Sequence, residues 1–207
     1  MIKIEDLSLP DRLVDINLVS TAKAIAIIGP NGSGKSSLLH CIQGTIATSA
    51  ITLSDRPYLL PQQPTLLSRS AAENLAYIGD IDPVATLATA GLEAKADTPA
   101  KQLSGGQAQL LALLMLLSQS PRLLLLDEPT SALDIKRTKL VETMLRRHLS
   151  AGNQIIFTTH AFNQATRLAD EIWVMMEGRL VRQSRTETAF EPHNDPMVSE
   201  YLQGLIQ

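Results

Sequence analysis

Aromatic residues make up only 3% of this 207-residue chain, and cysteine occurs once. The single Cys41 excludes an internal disulfide. Long apolar runs are missing too. The greasiest stretch, Leu110 to Leu126, is broken by Ser118, Gln119, Ser120, Pro121 and Arg122, well short of the ~20 apolar residues a membrane span needs. There is no basic excess: 18 Lys and Arg stand against 21 Asp and Glu, a net charge of −3. That argues against a general field for nucleic acid, and no nucleic-acid partner is expected. The opening residues MIKIEDLSLP lack the basic and apolar blocks of a secretory signal, so a cytoplasmic location is expected. Internal repeats, low-complexity tracts and heptad runs are absent as well.

What is present is an ordinary globular balance, 44% hydrophobic and 19% charged, in a length that suits one domain with a small inserted lobe. Ala24 to Ile28 is a short apolar run ending in a glycine-rich turn, and Ser36 to Gln43 reads as a helix. Leu123 to Leu126 ends in acidic residues, and Ile155 to Thr159 ends in His160. A helix over Ile135 to Leu149 lies between those two runs. Fully apolar strands alternating with helices predict an α/β fold with a mainly parallel sheet. Between Pro64 and Lys101 the sequence turns Ala-rich and helix-favouring, punctuated by Gly79, Pro83, Gly91 and Pro99, with no strand run. The predicted organisation is an α/β core (1–63 and 102–207) carrying a helical lobe (64–101). A strand from Arg179 to Gln183 and a short helix near Val198 to Leu205 complete it.

Gly29-Pro30-Asn31-Gly32-Ser33-Gly34-Lys35-Ser36 fits G-x-x-x-x-G-K-[ST] and sits between a predicted strand and a predicted helix, which Ser37 continues. Glycines there let backbone N–H groups converge on phosphate oxygens. Lys35 reaches the β- and γ-phosphates, and the Ser36 hydroxyl can ligate Mg²⁺. A glycine turn closing a strand-to-helix junction is the plainer alternative. Leu123-Leu124-Leu125-Leu126-Asp127-Glu128 delivers two carboxylates at the carboxyl end of a strand, where open parallel sheets bind ligands. Asp127 would hold Mg²⁺ through water and Glu128 would polarise an attacking water.

Leu103-Ser104-Gly105-Gly106-Gln107, standing shortly before the Asp-Glu strand, resembles the signature sequence of the ABC ATPase family. The resemblance covers nearly the whole chain and implies a P-loop NTPase core. Ser104 and the two glycines before a helix make a second anion site, suited to a γ-phosphate presented by another subunit; a serine-capped helix start would look the same. Gln62, in Leu60-Pro61-Gln62-Gln63-Pro64, resembles the family's glutamine loop, which senses Mg²⁺ and γ-phosphate. Ser131-Ala132-Leu133-Asp134 resembles the loop that contacts the opposite subunit, with an Asp helix cap as its alternative. His160 resembles the switch histidine that bonds the γ-phosphate.

Three departures accompany the resemblance. Met1 to Lys23 contains no Phe, Tyr, Trp or His, so the usual adenine-stacking aromatic is absent. Leu9, Pro10 or Leu13 would offer apolar contact instead, and base affinity and discrimination are expected to fall by about 1–3 kcal/mol. Leu110 and Met115 stand where the family often has arginine. The stretch from the phosphate loop to Gln62 is short, which predicts a reduced antiparallel β part. Cys41, Trp173, Met175 and Met176 are expected in the core.

The resemblance implies the ATP-hydrolysing subunit of a transporter. It would act as a homodimer with ATP and Mg²⁺ at the cytoplasmic face of the membrane, peripheral to a membrane-spanning permease, with a solute-binding protein if it serves import. Phe190-Glu191-Pro192 and Tyr201-Leu202-Gln203-Gly204 are similar to the ends of ATPases in oxyanion importers. A non-transport ABC ATPase acting as an ATP-gated clamp or regulator is the alternative. Against it stand the lack of a coiled-coil insert, of a second tandem domain and of a basic tract.

Overall fold

The strictly apolar runs become the central strands of the fold. A computed structural model describes residues 1–206, with side-chain burial described through residue 204. In chain order the elements are β1 (Ile2–Leu9), β2 (Leu13–Ser20), β3 (Ala24–Ile28), α1 (Lys35–Gln43), β4 (Ile51–Leu53), β5 (Pro57–Leu60), α2 (Ala71–Ala76), α3 (Pro83–Ala88) and α4 (Gly105–Ser118). There follow β6 (Leu123–Leu126), α5 (Ile135–Ser150), β7 (Gln154–Thr158), α6 (Phe162–Leu168), β8 (Glu171–Met176), β9 (Arg179–Arg185) and α7 (Pro196–Ile206). The expected strands 24–28 and 123–126 are exact, and the other expected elements differ by one or two residues at their ends, where capping and side-chain anchoring decide.

A six-stranded sheet runs β5-β6-β7-β3-β8-β9; the first four pairings are parallel and β9 closes it antiparallel to β8. Every residue of β3 and β6 is buried. Their side chains alternate faces with the period of two that a strand imposes. Ala24, Ala26, Leu124, Leu126, Ile155 and Phe157 belong to one core with α4 and α5, while Ile25, Ile27, Leu123, Leu125, Ile156 and Trp173 belong to another with α1. Strands β1, β2 and β4 form a separate antiparallel sheet, order β2-β1-β4, that packs into the second core. β1 and β2 alternate buried and exposed positions that the sequence reading left unassigned. Strand β4 of this sheet is only three residues long. Cys41, Trp173, Met175 and Met176 are buried as expected.

Helices α2 and α3 are short and locally specified. Ser70 and Glu73 form a reciprocal capping box at α2. Asp82 caps α3, with Pro83 at its first position. Leu75, Leu87 and Leu92 enter the same apolar cluster as Leu110 and Leu124. Leu110 is fully buried and Met115 is partly buried against that cluster. Apolar side chains at these two places therefore anchor α4 in the first core, the full burial of Leu110 contributing about 1.5–3 kcal/mol.

From within β9 the Arg182 guanidinium donates to four backbone carbonyls beyond the strand, those of Thr188 (3.4 Å), Ala189 (2.9 Å), Glu191 (2.7 Å) and Pro192 (3.2 Å). This clamp turns the chain back, and Val198 and Leu202 of α7 bury in the first core. The Tyr201 ring stands near the Gly29 backbone, and burial raises the pKa of its hydroxyl, against the opposing influence of Gly29.

His148 on α5 is 8% exposed. Its Nδ1 lies 3.4 Å from the Asn153 amide and its Nε2 has no partner among the described residues. Burial lowers its pKa. The unfolded chain takes up a proton near the ordinary histidine pKa of about 6.5, while the folded chain resists it. Stability is therefore expected to fall as pH drops below that value, levelling once the folded pKa is passed. Melting curves at pH 7 and pH 5 should show a smaller loss for His148→Leu than for the wild-type chain; equal losses would remove His148 from the account.

Candidate nucleotide site

Strand β3 ends in the loop 29–34, and α1 begins directly after it. The Gly34 backbone is left-handed, φ 98°, and no side chain caps α1. A Cβ at Gly34 would meet the Arg12 carbonyl oxygen and Leu13 Cδ2, both at 2.9 Å. A bare helix N-terminus with glycine close by leaves first-turn N–H groups available to an anion. Lys35 is 6% exposed. Its Nζ donates to the carbonyls of Gly29 (2.9 Å) and Pro30 (2.8 Å), folding the side chain across the loop. Burial lowers its pKa, while the Glu128 and Asp127 carboxylates pull the other way.

Strand β6 delivers the carboxylates. Thr158, fully buried at the end of β7, donates through Oγ1 to Asp127 Oδ1 at 2.6 Å and accepts from the Glu128 N–H at 2.9 Å. One hydroxyl thus orients both acidic residues. The Glu128 backbone is left-handed, φ 47°, a conformation that costs of order 1 kcal/mol for a non-glycine residue. Its carboxylate is held from both sides: Gln62 Nε2 donates to Oε2 at 3.0 Å, and His160 Nε2 stands 2.7 Å from Oε1. Behind His160, Thr159 Oγ1 donates to Gln164 Oε1 (2.7 Å) and Gln164 Nε2 donates to Thr130 Oγ1 (2.9 Å). This chain of bonds ties the His160 turn to the loop that follows Glu128.

Lys35, Gln62 and Glu128 open onto a cleft of about 470 Å³. Asn31, Gly32 and Gly34 line it with Lys35, Ser36 and Ser37; Gln62 and Glu128 add a polar wall, and Asp11 and Arg12 complete it. Lys35, Ser36, Gln62 and Glu128 therefore share one site, His160 joins it through Glu128, and Asp127 through Thr158. Gln63 is exposed and does not line the cleft.

Ser104 and Asp134 are elsewhere. Ser104 caps α4 by accepting from the Gln107 N–H (3.3 Å), while Gln107 Oε1 accepts from the Ser104 N–H (2.9 Å). Asp134 caps α5 by accepting from the Arg137 N–H at 2.8 Å. Within one chain both residues make the plain helix caps that the sequence allowed. Ser104 and Gly105 are exposed. A Cβ at Gly106 would meet the Ala132 carbonyl at 2.8 Å, so the signature segment and the loop 131–134 form one surface.

One expectation is corrected. Leu13 is 1% exposed and packs on Gly34, and neither Leu9 nor Pro10 lines the cleft. The second core claims Leu13 because the antiparallel sheet needs its apolar face. Thr158, Thr159, Gln164 and Arg12 were missed by the sequence reading. Only the Thr-Thr pair closing an apolar strand hinted at any of them.

A phosphate-binding loop joined to a strand-end Asp-Glu pair, a glutamine and a histidine defines an ABC-type ATPase domain. The chain belongs to the ABC transporter family, whose pattern it matches over residues 15–131. It is 30% identical, over 94% of its length and 66% of the relative's, to the methionine import ATP-binding protein MetN of Sodalis glossinidius. It is 32% identical, over 87% of its length and 81% of the relative's, to the putative ABC transporter ATP-binding protein YjkB of Bacillus subtilis. Further relatives are named for import of sulfate or thiosulfate and of phosphate, and for export of Nod factor. The chain spans 66% and 61% of the lengths of the first two curated relatives. Its fold superposes with a TM-score of 0.77 on a dimeric ATP-binding cassette bound to ADP and phosphate, at 24% identity over 90% of this chain and 99% of the other. Among the described residues no helix is long and apolar enough to cross a membrane.

Proposed function

We propose that two copies of this chain bind ATP between them and hydrolyse it to drive a solute through a separate membrane-spanning permease, from a peripheral position on the cytoplasmic face. The observation that carries the reading is the Gln62–Glu128–His160 cluster opening onto the Lys35 loop, while Ser104 stands exposed outside that cleft. A signature segment that stands outside its own chain's cleft suits a partner's loop instead. ATP is the substrate. Gly29 to Ser37 bind its phosphates through backbone N–H groups and Lys35. Ser104 to Gln107 of the opposite copy cap the γ-phosphate, with Asp134 at the same seam.

Ser36, Asp127 and Gln62 offer hydroxyl, carboxylate and amide oxygens, a hard donor set suited to Mg²⁺. No group of three or more acidic, histidine or cysteine side chains that could hold a metal exists among the described residues, which fits an ion bound mainly through substrate phosphates and water. When bound, Mg²⁺ would neutralise charge on the phosphates. Glu128 orients and polarises the attacking water, and His160 leaves Glu128 to hold the γ-phosphate. Gln62 joins this centre to the 64–101 lobe, which relays closure to the permease. Residues 1–63 and 102–207 act as the ATPase core.

The cargo we propose is an oxyanion taken up with a solute-binding protein. The tail from Phe190 to Gly204 supports this, as do relatives named for sulfate and phosphate import. The test of the dimer uses a hydrolysis-blocked Glu128→Gln chain. Mg·ATP is expected to convert it from monomer to dimer in sedimentation, and Ser104→Arg is expected to abolish that shift while keeping ATP binding. Persistent monomers at saturating Mg·ATP, with or without the permease, would remove the reading.

A further inference from the structure

The cleft above the phosphate loop has one wall that neither the triphosphate machinery nor the carboxylates explain. It is formed by Asp11 and Arg12, in the turn between β1 and β2. The Arg12 backbone is fixed tightly. Its N–H donates to the Leu9 carbonyl at 3.1 Å, and its own carbonyl would lie 2.9 Å from a Cβ at Gly34 and 2.6 Å from one at Gly178. Two glycines therefore let this turn press against the start of α1 and the β8–β9 turn. The Arg12 side chain, by contrast, is exposed and enters no ion pair among the described residues. A pinned backbone carrying a free guanidinium at the mouth of an anion site suggests a binding group.

Resting on the proposed function, we infer that Arg12 supplies the platform on which the nucleobase stacks. With phosphates held by α1 and Lys35, the nucleoside must lie along the remaining wall, and aromatic side chains are absent from it. A guanidinium is flat, delocalised and weakly hydrated, so it stacks on π faces as an ammonium does not. Because every base has a π face, this platform tolerates guanine as well as adenine. It also meets the opposite demand to Leu13, whose side chain is committed to the core.

The test separates stacking from charge. Equilibrium binding of ATP, GTP and inorganic tripolyphosphate, each with Mg²⁺, is measured on the whole chain and on Arg12→Ala, Arg12→Lys and Arg12→Tyr. Removing the platform is expected to weaken ATP and GTP alike by roughly tenfold, within the range of one base stack, and to leave tripolyphosphate unchanged. Tyr should restore ATP binding and Lys should not. Rescue by Lys with failure of Tyr, or a parallel loss of tripolyphosphate affinity, would mean that Arg12 serves a phosphate and overturns the inference. So would unchanged ATP binding in Arg12→Ala, or a strong adenine preference in the unaltered chain. A wild-type chain that binds none of the three ligands instead overturns the reading of the site itself.

Discussion

Glu128→Gln is expected to bind ATP as the unaltered chain does while turning it over about 10²–10⁴-fold more slowly, the range that a positioned general base supplies. The substitution is nearly isosteric. The new amide oxygen can still accept from Gln62, 3.0 Å away, and its NH₂ can donate to His160, 2.7 Å away. What disappears is the negative charge that polarises water, so the geometry of the resting cluster survives and the chemistry does not. Steady-state phosphate release and equilibrium nucleotide binding, measured on the same preparation, check both halves. Turnover within a factor of two of the unaltered chain would reject Glu128 as the base.

Thr158→Val keeps the volume of a buried side chain and deletes one hydroxyl. That hydroxyl donates to Asp127 and accepts from the Glu128 N–H, so two polar groups lose their partner at once. Each unsatisfied buried group costs about 1–3 kcal/mol, and a combined loss of about 2–4 kcal/mol is expected in denaturant unfolding. Asp127 and Glu128 also lose their common anchor, and ATPase activity should fall at least about tenfold, as misplaced catalytic groups do. Thr158→Ser should retain most of both quantities. If Val leaves stability and turnover unaltered, the hydroxyl does not organise the site.

Much of the candidate site was legible because its parts are written locally. A glycine loop between an apolar run and a helix, and Asp-Glu after four leucines, depend on neighbours in sequence; so do the strand limits of 24–28 and 123–126. Strands β1 and β2 went unassigned because polar residues interrupt their apolar alternation and two Asp residues, Asp6 and Asp15, adopt positive φ. Thr158 and Thr159 carry only the faint mark of a Thr pair closing an apolar strand, and Gln164 carries none. Their roles arise from parallel pairing of β6 with β7, which sets Leu126 opposite Phe157 and so brings residues 127 and 158 together. The adenine-side expectation failed for a related reason: exposure of Leu13 could not be judged without knowing that Gly34 would pack on it.

The sequence by itself located the candidate phosphate loop, since the glycines, lysine and serine of that motif stand only a few residues apart. Tertiary structure alone decided what holds Glu128 and what lines the cleft beside the phosphate loop. Those neighbours are Gln62, His160, Thr158 and Arg12, contributed by separate strands and turns. Proximity of that kind follows from sheet order and packing, long-range contacts that no local pattern encodes.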